Sequence, residues 1–240
     1  MNKQNFFFAA ILSSGLILST LILSYTLYAI KAFDNTIIAT GSTKQAVRSD
    51  AVHWRLEISR IATHTTMKSG TAHLSSDLDK IIAFFTENGV SQNTLSISPV
   101  MIQEVYEQNT PANHATKYRL HQTIDIQSKD VDKLANLGKK SHILIEQGVL
   151  LQANPQEYYY SKLPELRVSL LEGAMADALM RASTMAKNGG EKVGRLTSVS
   201  AGAVQVLSLN SSEVSNYGTY DTSQIEKEVM VSVRATFSLK

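Results

Sequence analysis

The 240-residue chain has no cysteine, and that absence removes several chemistries at once. Disulfides, a thiolate nucleophile, thiolate metal sites and a lipid anchor carried on an N-terminal cysteine are all excluded. Runs of Lys and Arg are absent too, and the 23 basic residues nearly balance the 21 acidic ones. Without a basic footprint to offset phosphate charge, nucleic-acid binding is not expected. Six histidines are present, at positions 53, 64, 73, 114, 121 and 142, but no HxH or HExxH grouping brings two into ligand spacing. They read as scattered, solvent-facing residues, so no metal and no cofactor is expected. Prolines number only four against 43% hydrophobic residues, which argues for a packed core rather than disorder.

One stretch lacks charge altogether. From Phe6 to Ile30 twenty-five consecutive residues carry none, between Lys3 and Lys31. A bilayer core needs about 20 apolar residues in a helix, so the run is long enough to span with some tilt. A cleaved signal peptide has a shorter apolar core of about 7 to 15 residues and a small-x-small cleavage site. Ala29 and Ala32 do not make a clean box of that kind. The segment therefore reads as an anchor, with residues 1–5 on the cytoplasmic side, 6–30 in the membrane, 31–35 a linker and 36–240 an exported domain. Positive charge retained inside sets that orientation. All acidic residues and all but one of the basic residues lie beyond the span, so the exported part is near neutral.

Beyond the linker, Thr36 to Ser42 reads as a first strand. Val52, Trp54, Leu56 and Ile58 alternate with His53, Arg55, Glu57 and Ser59, a strand with one buried face. From Met67 the apolar spacing becomes helical through Leu74, Leu78, Ile81, Ile82 and Phe85, and Asn88-Gly89 stops the helix. Leu95 to Glu107 is extended, with Pro99 marking a bulge or an edge position. A polar break at Gln108 to Thr116 leads into a second alternating run, Tyr118 to Ile126, and the two read as a hairpin. Asp130 caps a second helix that runs to Gln147-Gly148, and Val149 to Tyr160 is extended.

Pro164 opens a third helix and Gly189-Gly190 closes it. Within it Ala174, Ala178, Ala182 and Ala186 recur every four residues and so share a face. Helix propensity alone accounts for alanine, but the regular spacing beside Asp177, Arg181 and Lys187 favours close packing on that stripe. Leu196 to Leu209 and a valine-rich run, Val229 to Leu239, finish the chain as strands around a polar loop, Ser211 to Ser223. Strands alternate with helices while hairpins interrupt the crossovers, which points to an α+β fold: a mixed or antiparallel sheet packed by about three helices. Residues 50 to 160 read βαββαβ, the order of a ferredoxin-like split unit.

No segment carries a strong catalytic signature. Thr65-Thr66-Met67-Lys68 has a hydroxyl-x-x-Lys spacing without companion motifs. Gly189 to Gly194 is glycine-rich, but it follows a helix where a phosphate-binding loop opens one. Asp77 and Asp79 point to different faces of a helix and make a poor acid-base pair. Tyrosines are the one hint of recognition. Tyr158 and Tyr160, with Tyr217 and Tyr220, are candidate interaction residues because the ring is apolar and the hydroxyl stays wet. Alternation buries either Tyr159 or its two neighbours.

Ile37-Ile38-Ala39-Thr40-Gly41-Ser42, followed by Ser49-Asp50-Ala51 and a strand, resembles the opening of the SIMPL domain (DUF541) family of bacterial envelope proteins. Tyr118 to Ile126 is similar to the family's central strand, and the alanine helix, Gly194 and the closing valine-rich strand extend the likeness from Thr36 to Lys240. Ser49 departs from the proline that commonly precedes the aspartate. The resemblance implies an α+β envelope domain prone to homo-oligomerise, with links to envelope integrity or oxidative stress and no established reaction. The expectation is thus a non-enzymatic structural or interaction module, held in the bacterial inner membrane with its C-terminal domain in the periplasm. A periplasmic binding protein for a small molecule or peptide, with a pocket bounded by Ser211 to Ser223, is the alternative. A hydrolase or metalloenzyme ranks below both, for want of a visible cluster.

Overall fold

The computed structural model describes residues 3–33, 35–106, 115–211 and 215–240. Part of the polar break at Gln108 to Thr116 and part of the loop Ser211 to Ser223 therefore lie outside the described residues. Two compact units emerge: Met1–Lys44, Arg167–Val204 and Met230–Lys240 form one, Gln45–Leu166 and Gln205–Val229 the other.

Helix α1, Lys3–Phe33, contains the apolar span Ile11–Ala29, long enough to cross a membrane and with none of it buried. Several of its hydroxyl groups are satisfied within the helix. Ser14 donates to the Ile11 carbonyl, Ser19 to Leu16 and Thr26 to Ile22, at 2.8–2.9 Å. A polar group facing hydrocarbon needs such an internal partner.

The second unit is built on β2, Ala51–Thr63, and β5, Lys117–Ser128, paired antiparallel along their whole length. Trp54 faces Ile126 and Leu56 faces Ile124, so the apolar sets of both strands share one side. Beyond β5 lie β3, Leu95–Ile97, and β4, Met101–Val105; beyond β2 lie β6, Leu151–Ala153, and β7, Glu157–Tyr159. Each short pair is one extended run interrupted at a proline, Pro99 or Pro155, as a residue without an N–H requires. The two outer runs are antiparallel to their inner neighbours, which separates the strands of each βαβ crossover by one. That is the split arrangement the element order predicts.

Helix α2, Met67–Glu87, covers the apolar face with Leu74, Ile81, Phe84 and Phe85. Phe85 meets Trp54 edge to face at 5.8 Å, and the Trp54 indole donates to the Asn154 carbonyl at 2.9 Å. Asn88 closes the helix by donating to the Phe84 carbonyl, and Gly89 takes the left-handed φ of 76° that the turn needs. The helix after Asp130 corrects the expectation: it is two segments, α3, Val131–Lys140, and α4, His142–Glu146. Both the amide and the hydroxyl of Ser141 bond to the Gly138 carbonyl, ending the first helix there. Asp130 caps α3 as predicted, accepting from the Lys133 amide at 3.1 Å.

In the first unit β1, Thr36–Arg48, extends beyond the expected Ser42, and its first residues lie under α5, Leu163–Asn188. Ala174, Ala178, Ala182 and Ala186 are all buried, so close packing explains the stripe. A Cβ on Gly41 would run into the Ala174 carbonyl and the Ala178 backbone, which shows why glycine stands opposite the alanines. Asp177 accepts from the Ser42 amide and from Arg181, both at 2.9 Å. The expected single strand from Leu196 to Leu209 is two strands, β8, Val193–Ala201, and β9, Gln205–Ser208. Between them Gly202 donates to the Ser232 carbonyl. The last strands are β10, Thr219–Tyr220, parallel to β9, and β11, Glu226–Leu239, antiparallel to β8. The pairing is thus mixed: β8 with β11 is antiparallel in the first unit, and β9 with β10, which belong to the second unit, is parallel.

Candidate functional site

The apolar face of β2 is spent on the core, which leaves its polar face, together with those of β5 and β7, for function. Register places Asp125 opposite Arg55 and Glu157 opposite His53. His53 Nε2 lies 2.9 Å from Asp125, and Nδ1 lies 3.4 Å from Glu157, so the ring is held between two carboxylates. Arg55 Nε donates to the same Asp125 oxygen at 2.8 Å, and the Tyr159 hydroxyl donates to Glu157 at 2.8 Å. Among the described residues no hydroxyl or amine nucleophile bonds to the His53 ring.

These contacts set the charges. Burial pushes the Asp125 carboxyl up, but the hydrogen bonds from Arg55 and His53 outweigh it and hold the group below the ordinary carboxylate range. Glu157 is held low by the bonds from Tyr159 and His53. The Tyr159 phenol is raised in turn by its bond to Glu157 and stays protonated as a donor at neutral pH.

A second network fixes the tyrosines. Buried Gln205 donates to the Ser215 carbonyl and accepts from the Ser215 amide, returning the loop to the sheet. Lys227 is fully buried on the valine face of β11; its ammonium donates to the Asp221 carbonyl and lies 5.8 Å from the Tyr220 ring centre. Burial pushes this amine down from its ordinary value. Tyr220 then packs against Tyr159 at 5.7 Å and accepts from the Tyr160 amide at 2.9 Å.

Of the tyrosines singled out in the sequence, Tyr160 and Tyr220 are thus brought together. Tyr217 stands apart and is 98% exposed. Tyr158 points into the core, its hydroxyl on Gln156, so alternation selects Tyr159 as the outward residue in its place. The ion pair of buried Asp77 with half-buried Arg60, at 2.6 and 2.8 Å, and the role of Lys227 have no local signal in the sequence. For His53 and Arg55 the outward phase of β2 was such a signal, but their carboxylate partners come from distant strands.

Beside His53 and Tyr159, the ends of β2, β5 and β7 enclose an open cavity of about 650 Å³. Ala51 and Val52 line it together with Thr94, Gln127, Ser128 and Lys129. Among the described residues no group of three or more His, Asp and Glu side chains is placed to hold a metal ion.

Fold and site together define the class: an α+β protein behind an N-terminal apolar helix, with no thiol chemistry and with a fixed polar surface on one sheet. Residues 37–237 match the SIMPL family model, described as protein of unknown function (DUF541), and the chain belongs to that family. No curated relative matches the chain.

Proposed function

We propose that this SIMPL-domain protein is a membrane-anchored structural or interaction module of the bacterial cell envelope, working as a homo-oligomer on the periplasmic side of the inner membrane. Envelope integrity and tolerance of oxidative stress are the roles this reading assigns it. The anchor part rests on α1, whose apolar span finds no protein surface to bury it among the described residues. The orientation part rests on Lys3, since positive charge ahead of the span favours the cytoplasmic side.

Strand β8 is the observation that carries the oligomer. Leu196 lies opposite Phe237 and Val199 opposite Ala235, so both apolar residues face the side of the sheet on which α5 packs. A helix about 10 Å across covers about two strands spaced near 4.8 Å, and α5 is spent on β1 and β11. Leu196 and Val199 are left exposed, and β8 pairs with β11 alone among the described residues. An exposed apolar edge strand is unstable in isolation toward pairing, and a second copy supplies an identical edge. Val168, Leu179 and Met180 on α5 add to the apolar surface of the same unit.

Native mass spectrometry of the full-length chain in mild detergent tests this reading. A discrete multimer of uncleaved chains is expected, reduced to monomer by Leu196→Lys with Val199→Glu. A concentration-independent monomer of the wild-type chain refutes it.

A further inference from the structure

We infer that the cavity between His53, Lys129 and Tyr159 is a binding site for a small monocarboxylate with an aromatic or alkyl body. Its volume, about 650 Å³, falls in the range of about 300–1,000 Å³ typical of small-molecule sites. Most of its lining is apolar, which suits an apolar body.

Charge decides the head group. Asp125 is committed to His53 and Arg55, and Glu157 to His53 and Tyr159, so the carboxylates bonded to the lining residues His53 and Tyr159 already have their partners. The Lys129 ammonium and the Gln127 amide, by contrast, make no hydrogen bond or ion pair with another described residue. One unpaired cation beside one free amide suits a single carboxylate: the ammonium pairs with its charge and the amide N–H donates to the second oxygen. A phosphate dianion would find one cation only, and a cationic ligand would meet Lys129.

Preorganisation is the second argument. Tyr159 is bonded to Glu157 and packed on Tyr220, while Tyr220 is itself bonded to the Tyr160 amide. The ring that walls the cavity is thereby held in one orientation, so little side-chain entropy is lost when a ligand packs against it. This polar cluster lies off the apolar core, which ends on the opposite face of β2. The inference is independent of the oligomer, since every lining residue comes from one unit of one chain.

The test is titration calorimetry of the full-length protein in nanodiscs with 3-phenylpropionate, using 3-phenylpropionamide as the neutral control against partition into lipid. Saturable binding of one acid per chain is expected, with the amide roughly tenfold or more weaker, as loss of a charge-assisted contact predicts. Lys129→Gln weakens the acid by a similar factor and leaves the amide unchanged; Tyr159→Leu weakens both. Lys129 is exposed and has no partner among the described residues, so its variant keeps the fold, checked by an unchanged Trp54 emission spectrum. Absence of saturable acid binding, equal affinity for acid and amide, or an unchanged Lys129→Gln titration overturns the inference.

Discussion

Replacing Arg60 by methionine isolates the role of the ion pair beneath the second unit's sheet. Asp77 is 1% exposed and accepts two hydrogen bonds from the Arg60 guanidinium, at 2.6 and 2.8 Å. The same guanidinium donates to the Gly148 carbonyl at 2.7 Å, tying β2 to α2 and to the turn after α4. Methionine keeps most of the stem but strands the carboxylate; the nearest remaining cation, Lys80, is 4.0 Å from Asp77 and is already bonded to the Gln147 carbonyl. Stranding one partner of a buried pair costs about 3–5 kcal/mol, and the nearby Lys80 draws the expectation to about 3. With a urea dependence of about 2 kcal/mol per molar, the midpoint falls by about 1.5 M. Trp54, the single tryptophan, sits in the same core, and its fluorescence reports on this unit directly. Arg60→Met with Asp77→Leu removes both charges, and the double variant is expected to recover most of the loss, since a well-packed apolar pair often replaces a buried ion pair at little cost. A single variant that costs less than about 1 kcal/mol, or a double variant as unstable as the sum of the two singles, refutes the reasoning.

Four further outcomes follow from particular contacts. Gly41→Ala pushes a methyl against helix backbone that has no side chain to yield, so hydrogen exchange through Ala174 to Ala186 should accelerate with a loss of about 1–3 kcal/mol. Ser49 is buried with its amide on the Ile225 carbonyl and its hydroxyl without a partner among the described residues; Ser49→Ala should raise stability by about 1 kcal/mol in thermal melts, while Ser49→Pro loses the amide hydrogen bond and lowers it. Asp125 and Glu157 have depressed folded-state values, so their stabilisation is complete above the usual carboxylate range, near about 4, and disappears as pH falls through the lower folded values. Asp125→Asn should flatten that acid limb in a pH series of melts, and an unchanged limb counts against the network. Lys227→Met removes a buried ammonium together with its hold on Asp221; backbone NMR shifts from Asp221 to Ser223 should move, and an unperturbed loop refutes the anchoring role.

How far these features were legible differs from element to element. The period of two in Val52 to Ile58 placed His53 and Arg55 outward before any partner was known, because successive side chains of a strand alternate by geometry alone. Asp130 announced the start of α3, since a short acidic side chain bonds free amides wherever a helix begins. The break at Ser141 was hidden: its hydroxyl competes for a carbonyl one turn back, a local choice that the apolar period does not record. Alternation left two phases open for Tyr158 to Tyr160. The choice came from pairing, because β7 must present Tyr158 to the core beside Val52 in order to set Glu157 opposite His53.

What the chain carries locally is therefore its apolar span, its strand and helix periods, its caps and the alanine stripe, each dictated by neighbours a few residues away. The cavity beside Tyr159, the His53 ring between Asp125 and Glu157, and the burial of Asp77 and Lys227 join positions up to about a hundred residues apart. Their energies depend on desolvation and on partners brought by strand register. Neither exists until the sheets close, because a lysine on an apolar stripe and one on a solvent face read alike in a linear chain.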